Sequence, residues 1–515
     1  MNSIKKLIYY RKMILLLTWM LCFISTFIYS QENPPIKKNF PKLTAEKMYD
    51  DFDFFIETVE DFSPQIQVRK AVTGIDPLIE IKEMRSEISE MKSTEDFANL
   101  MLKAITILQD GHSSMLWPSG YPNDYLMELG VSNDAIELFP HYYELRKEDG
   151  IKKKFNLKLK YINGYYYNIE RISYRDKIID SGWKLTKVNG KKAQNFISKL
   201  YPYLPRMRWD YLNERYYSEY FYNAINIKSE EVLKLEFVND SGKRIKAKFN
   251  LNEAIQYKED AENAEESPPK VNYFANEQVL YIRVPRMSLD YNEFYPEEIR
   301  SKALGKPLKK VIIDIRDNPG GADNVWVNIL KAIIDKPINF ELLLLSNPTK
   351  ELKAHYPDDF DNWESYHVPF LDNHEYKIFA SGSREIEPTD NSLNFDGKIY
   401  ILQNDGIYSS AGAFSAIGLL ADNIITLGQN TGWLLGRGVN PMVFELPHSK
   451  ILYRIEPVID FQNVKNARDV YHDNVEIPVS LTIKQYLNRL EYNGDVYGKD
   501  FLFNEDTVFS GALND

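Results

Sequence analysis

The pattern of apolar and polar positions falls into three regimes. Residues 44–109 carry a helical period. AEKMYDDFDFFIETVEDF places Met48, Phe52, Phe55 and Ile56 at spacings of three and four. Thr44 stands at its start as an N-cap, and Ser93, with Asp96 three residues on, caps the later segment STEDFANLMLKAITIL. PLIEIKEMRSEISEM lies between them, and the helical part ends in DGHSSM at 110–115.

Residues 120–255 read mostly as strands. Tyr165–Ile169, Trp183–Val188 and Val232–Phe237 alternate or run apolar, and Asn189-Gly190 marks a tight turn. Residues 257–270, YKEDAENAEESPPK, are acidic and Pro-containing, as an exposed linker is.

From 271 onward apolar strands alternate with helical stretches. QVLYIRV, KKVIIDIRDN, INFELLLLSN, GKIYILQND and DNIITLGQN read as strands; Tyr291–Leu304, NVWVNILKAII and SAGAFSAIGLLA read as helices. Apolar strands interleaved with helices predict an α/β sheet covered on both faces. Ligands and reactive groups collect at the carboxyl ends of such strands. Two strand ends therefore stand out, RDNPGG and DGIYSS.

Composition narrows the partners. The chain has 515 residues, enough for two or three domains. Its formal charge is −11 with no long basic run after the first dozen residues, which argues against nucleic acid. Many of the 35 tyrosines fall near 201–222, giving either an amphipathic surface of the kind peptide or glycan grooves use or a Tyr-rich core.

The N-terminus reads as a secretory signal. Lys5, Lys6, Arg11 and Lys12 precede an apolar run from Met13 to about Tyr29, then Ser30 and the polar QENPPIKK. Cleavage after Ser30 leaves residues 31–43 as a linker; an uncleaved anchor is the alternative. Cys22, the only cysteine, lies inside the signal with Leu21 before it, which disfavours lipidation and leaves a mature chain without disulfides. Export to a periplasm, cell surface or medium follows, with no membrane span after cleavage.

The strand ends carry the chemistry. In DIRDNPGGADN, Gly320 and Gly321 allow close backbone approach near a helix N-terminus, where N–H groups can hold an oxyanion. Alone, this is an ordinary strand–helix turn. In GIYSSAGAF two serines stand where a strand hands over to a helix, as caps or as a nucleophile. Tyr408 two places before Ser410 breaks the G-x-S-x-G elbow. The seven histidines form no metal-binding pattern such as HExxH, and no cofactor is expected; His112 stands out because it follows Asp110 and Gly111 at the end of a helical stretch and precedes Ser113 and Ser114.

In this order, DGHSS, VIIDIRDNPGG, LQNDGIYSSAGAF and TLGQNTG resemble the blocks of the tail-specific, or C-terminal processing, serine protease family, closer to its tricorn-core branch. The resemblance covers roughly Thr44 to the C-terminus. Asp314, Arg316, Asn318, Gly320 and Gly321 match the family's Asp-x-Arg-x-Asn-x-Gly-Gly strand end; Gly428, Thr431 and Gly432 match its later Gly-x-x-Thr-Gly block. It implies Ser410 as nucleophile and His112 as base, with backbone N–H groups of Ala411 and of Gly320 or Gly321 as the oxyanion donors. The lysine-dyad branch would place a lysine in TGWLLGRG, where there is none. Ala413 stands where many relatives carry glutamate, and among the late acids Asp469 is the nearest candidate to orient the histidine, with Asp473 and Glu476 beyond it.

The expectation is therefore an α+β multidomain protein. Residues 1–30 are a signal peptide, 31–43 a linker and 44–118 a helical domain; 119–256 form a β-rich PDZ-like substrate-binding module. An acidic linker at 257–270 leads to a ClpP/crotonase-like α/β protease core at 271–515. The activity expected is a serine peptidase acting on proteins or peptides; the alternative is a catalytically degenerate peptide-binding relative. Substrate preference and oligomeric state are not written in these patterns.

Overall fold

The computed structural model describes residues 40–146, 155–222, 224, 232–251, 268–355, 364–371, 374–418, 420–432, 441–462, 464–471 and 475–515. The signal segment, most of its linker, most of the acidic stretch at 257–270, the lysine-free 433–438 and Asp473 lie outside them.

The first elements are helices: α1 (Ala45–Phe62), α2 (Gln65–Thr73), α3 (Pro77–Met84) and α4 (Thr94–Ile107). The caps are those the sequence predicts. Thr44 accepts from Lys47 N and Ser93 from Asp96 N. Met48, Phe52, Phe55 and Ile56 face inward, as their spacing requires, and pack with Phe97, Met101 and Tyr453.

A short strand, β1 (Ser114–Met115), follows, and then two helices where strands were expected, α5 (Asn123–Glu128) and α6 (Asn133–Arg146). The reason is local. Ala135, Phe139 and Tyr142 are buried at spacings of four and three, and Ser132 Oγ accepts from Ala135 N at the helix start.

The sheet region begins later. Strands β2 (Leu159–Ile162), β3 (Tyr165–Asn168), β4 (Lys184–Val188), β5 (Val232–Val238) and β6 (Arg244–Asn250) form the path β6-β5-β4-β3-β2 of a six-stranded antiparallel sheet. Much of the Tyr-rich segment packs into its core: Tyr211, Tyr216, Tyr217 and Tyr222 are buried there, and Tyr217 stacks on Tyr161.

The third part holds β7 (Lys270–Phe274), β8 (Val279–Arg283), α7 (Phe294–Ala303), β9 (Lys310–Asp314) and α8 (Asp323–Lys331). It continues through β10 (Ile338–Ser346), β11 (Glu375–Ile386), β12 (Lys398–Gln403), α9 (Ser410–Ile417) and β13 (Ile424–Gly428). Its main sheet has the order β7-β8-β9-β12-β13 and ends on Ile477–Pro478, parallel from β8 onward. Both faces are covered, which explains the continuous burial of Val279–Arg283 and Ile399–Gln403. Because β9 and β12 are parallel neighbours, with Asp314 opposite Leu402, their carboxyl ends lie side by side.

Two late strands return to the N-terminal part. β14 (Met442–Glu445) and β15 (Leu452–Ile455) make an antiparallel pair, and β1 adds to β15. No helix among the described residues is long and apolar enough to cross a membrane.

Candidate active site

The two strand ends are bonded to each other. Asp317 N donates to Asn404 Oδ1 at 2.8 Å, and Asn404 Nδ2 donates to Asp317 Oδ1 at 2.7 Å. Tyr408 N donates to Asn318 O at 3.1 Å. Asn318 is fully buried, donates to Val284 O and accepts from Gly320 N at 2.8 Å. Below the turn, Arg316 is enclosed between Asp314 and Asp506, which fastens the strand end to the C-terminal segment.

Ser410 opens α9 at the end of this turn and is 5% exposed. Gly320 lies against it. A Cβ built on Gly320 would stand 2.6 Å from Tyr408 O, 2.8 Å from Ser409 Cβ and 3.0 Å from Ser410 N, and its φ is +94°. Only glycine fits there. Ser409 holds φ 53° and ψ −122° in the helix-cap position, and its hydroxyl makes no capping bond. Its contribution to the turn is a strained backbone, which non-glycine residues hold only when the surroundings fix it.

His112 reaches this turn from the other end of the chain. Asp110 Oδ1 accepts from His112 N at 3.0 Å and from Ser113 N, which fixes the loop after α4. The His112 ring lies 5.6 Å from the Tyr408 ring, centroid to centroid. On its other side Glu456 Oε2 is 3.8 Å from His112 Nδ1, with the glutamate side chain fully enclosed and the histidine side chain 17% exposed. Strand register produces this pair. Ser114 is opposite Arg454 in the β1–β15 ladder, so two residues further out His112 meets Glu456. Ser113 Oγ accepts from Glu456 N at 3.0 Å and locks the crossing.

Glu456 is the residue that sequence reasoning passed over. Asp469 is elsewhere: it accepts from Lys465 N, Asn466 N and Asn466 Nδ2 in its own turn. Glu476 bonds across to Thr426. Glu456 shares the apolar strand end RIEPVID with a second acid, Asp460, and nothing in that stretch singles it out.

Burial, followed by Arg454 and Arg206, holds His112 well below an ordinary imidazole, at about 3. The ring is thus neutral at physiological pH and able to accept a proton. No hydrogen bond joins it to Ser410 among the described residues; Ser410 Oγ donates to Asp323 Oδ1 at 2.6 Å.

The backbone donors differ in their engagement. Gly320 N is held by Asn318 Oδ1, and Ala411 N donates to Tyr408 O at 3.1 Å. Of the three expected oxyanion donors, Gly321 N is the one without an acceptor among the described residues. No group of three or more metal-ligating side chains occurs among the described residues.

Residues 278–461 match the model of Peptidase family S41. No curated protein matches by sequence. Among solved structures, mature CPAF superposes with a TM-score of 0.53 at 12% identity, covering 91% of this chain and 98% of that one. Mature CPAF complexed with lactacystin gives 0.55 at 12% identity, over 92% and 99%. These likenesses establish a shared fold, and the family match gives the chain the class of a serine-type peptidase, a hydrolase.

Proposed function

We propose that the chain is an exported serine peptidase that hydrolyses peptide bonds of proteins or peptides near their C-termini, in the manner of the tricorn-core branch. Ser410 is the nucleophile, His112 the base and Glu456 the acid that orients it. The β-rich region around β2–β6 is the PDZ-like module that presents the substrate. The observation that carries this reading is the convergence at one turn: Ser410 packed on Gly320, with the His112–Glu456 pair set against Tyr408 two residues before it.

The chemistry follows from those positions. The Ser410 hydroxyl leaves Asp323, passes its proton to His112 Nε2 and attacks the peptide carbonyl carbon. Glu456 faces Nδ1, so the positive charge that forms on the ring meets a buried carboxylate. The N–H of Gly321, with those of Gly320 and Ala411 as the turn adjusts, stabilises the oxyanion; each such donor contributes about 3 kcal/mol. His112 then protonates the leaving amine, and water releases the acyl group by the same steps in reverse.

A second reading keeps the fold and drops the chemistry. Its support is the Ser410–Asp323 bond, which commits the hydroxyl to a carboxylate and not to the histidine, and Ala413 in place of an acid. Digestion of an unbiased peptide library by the chain from Gln31, read by mass spectrometry with Ser410→Ala as blank, separates the two. Cleavages seen only with Ser410 present are expected. Identical products from both proteins would reject the peptidase and leave a peptide-binding protein.

A further inference from the structure

Adjacent hydroxyls at the nucleophile turn have different surroundings. Ser410 is buried, and its hydroxyl donates to Asp323 Oδ1. Ser409 is half-buried, and its hydroxyl has no hydrogen-bond partner among the described residues. Ser409 is also the residue with the left-handed backbone, φ 53° and ψ −122°. Ala411 N donates to Tyr408 O across it, so Ser409 fills the place in a tight turn that favours glycine. Glycine would hold this turn without strain. Serine holds it with strain, and what it adds is a hydroxyl.

That side chain starts against the glycine pair. A Cβ built on Gly320 would stand 2.8 Å from Ser409 Cβ, so the serine methylene touches Gly320. The backbone donors beside it are mostly engaged. Asn318 Oδ1 holds Gly320 N, and Tyr408 O holds Ala411 N, which leaves Gly321 N. An oxyanion forming beside Gly321 gains from a second donor that is free from the outset. A serine hydroxyl without an acceptor rotates its proton to suit.

We propose that the Ser409 hydroxyl is a catalytic donor to the oxyanion, acting beside Gly321 N while Ser410 attacks. This rests on the peptidase reading of the same site. As the bond from Ser410 Oγ to the carbonyl carbon forms, the π pair of the carbonyl moves onto its oxygen. The Ser409 O–H points at that charge and keeps its proton. Such a donor serves the first charge to develop, before the turn has to break the bonds that hold Gly320 N and Ala411 N.

The test compares Ser409→Ala and Ser409→Gly with the parent chain from Gln31 on one peptide that the parent cleaves. Both variants remove the hydroxyl, and only glycine also relieves the backbone. In both, kcat is expected to fall about 10²-fold with KM within about twofold. A trifluoromethyl ketone built on the same peptide forms a hemiketal oxyanion and should bind each variant about 10²-fold more weakly. The peptide itself should bind Ser410→Ala equally well with and without Ser409→Ala. A fluorophosphonate should still label Ser410, as mapped by mass spectrometry. Turnover within about threefold of the parent overturns the proposal. So does a loss in Ser409→Ala that Ser409→Gly restores, which would make the role one of backbone shape. Equal weakening of peptide and ketone, or a label mapped to Ser409, overturns it as well. A parent that neither cleaves nor takes label rejects the peptidase reading and this role with it; an active parent with unaffected variants rejects the role of Ser409 alone.

Discussion

Ser410 Oγ donates to Asp323 Oδ1 at 2.6 Å, so the hydroxyl proposed to attack is held by a carboxylate on the first turn of α8. Asp323 Oδ1 also accepts from Trp326 Nε1 at 3.0 Å, which keeps it in place. A bond to an ionised acceptor is stronger than one to a neutral amide by about 1 kcal/mol. Asp323→Asn should therefore speed fluorophosphonate labelling of Ser410 about fivefold. A tenfold slower reaction would mean that Asp323 assists the serine and does not restrain it.

Glu456 and Asp469 make opposite predictions. Glu456→Gln removes the charge facing His112 Nδ1 and should lower kcat by about 10²- to 10⁴-fold with little change in KM. Asp469→Asn disturbs only the hydrogen bonds of its own turn and should leave kcat within about twofold. Steady-state kinetics on one peptide compares both; equal losses would remove Glu456 from its orienting role.

The depressed basicity of His112 sets the pH profile. Its neutral form, the one that accepts a proton, prevails above about 3. The acid limb of kcat/KM should then fall well below the ordinary histidine value of about 6.5. The same shift bears on stability. Between about 6.5 and about 3 the unfolded chain binds a proton at this residue and the folded one does not, so stability falls as pH drops through that window. A limb centred at 6.5 or higher in a pH–rate series would rule out a buried neutral base.

Gly320→Ala should lower turnover by about 10²-fold without unfolding the chain. The methyl group would collide with Tyr408 O and Ser409 Cβ and shift Ser410, and a misplacement of about 1 Å costs about 10²-fold. Gly412, in α9, has open space around its Cβ position, and Gly412→Ala should stabilise the helix by up to about 1 kcal/mol. Activity and melting temperature of the two variants test the contrast; a fully active Gly320→Ala would place the nucleophile elsewhere.

Asp405 ties the antiparallel sheet region to the nucleophile turn. Its carboxylate lies 2.9 Å from Arg208 Nη1 and 3.2 Å from Lys160 Nζ. Burial alone would raise its pKa; Arg208 and Lys160 more than offset that and hold it below the usual value, so its contribution to stability persists above that value and is lost as pH falls below it. Asp405→Asn removes a carboxylate that two enclosed cations share with Glu219, and should cost about 3–5 kcal/mol. A melting temperature within about 2 °C of the parent would contradict this.

Much of the architecture was legible because its causes are local. Cap residues at Thr44 and Ser93, the helical spacing of Met48, Phe52, Phe55 and Ile56, and the apolar runs of β8, β9 and β12 act within a few residues of chain. The helices at 123–146 were misread because their apolar positions are sparse and Pro140 interrupts them. Glu456 was invisible for a different reason: nothing near it in the chain marks it.

The sequence by itself determined the two polar strand ends, the glycine pair and the hydroxyl at the start of α9, since strand–helix grammar and the demands of φ are written residue by residue. The tertiary structure decided who meets whom. His112 faces Glu456 because β1 pairs with β15 across more than three hundred residues, and Ser410 bonds to Asp323 because β9 and β12 are parallel neighbours. Such pairings depend on register and packing summed over whole sheets, which no local stretch of sequence contains.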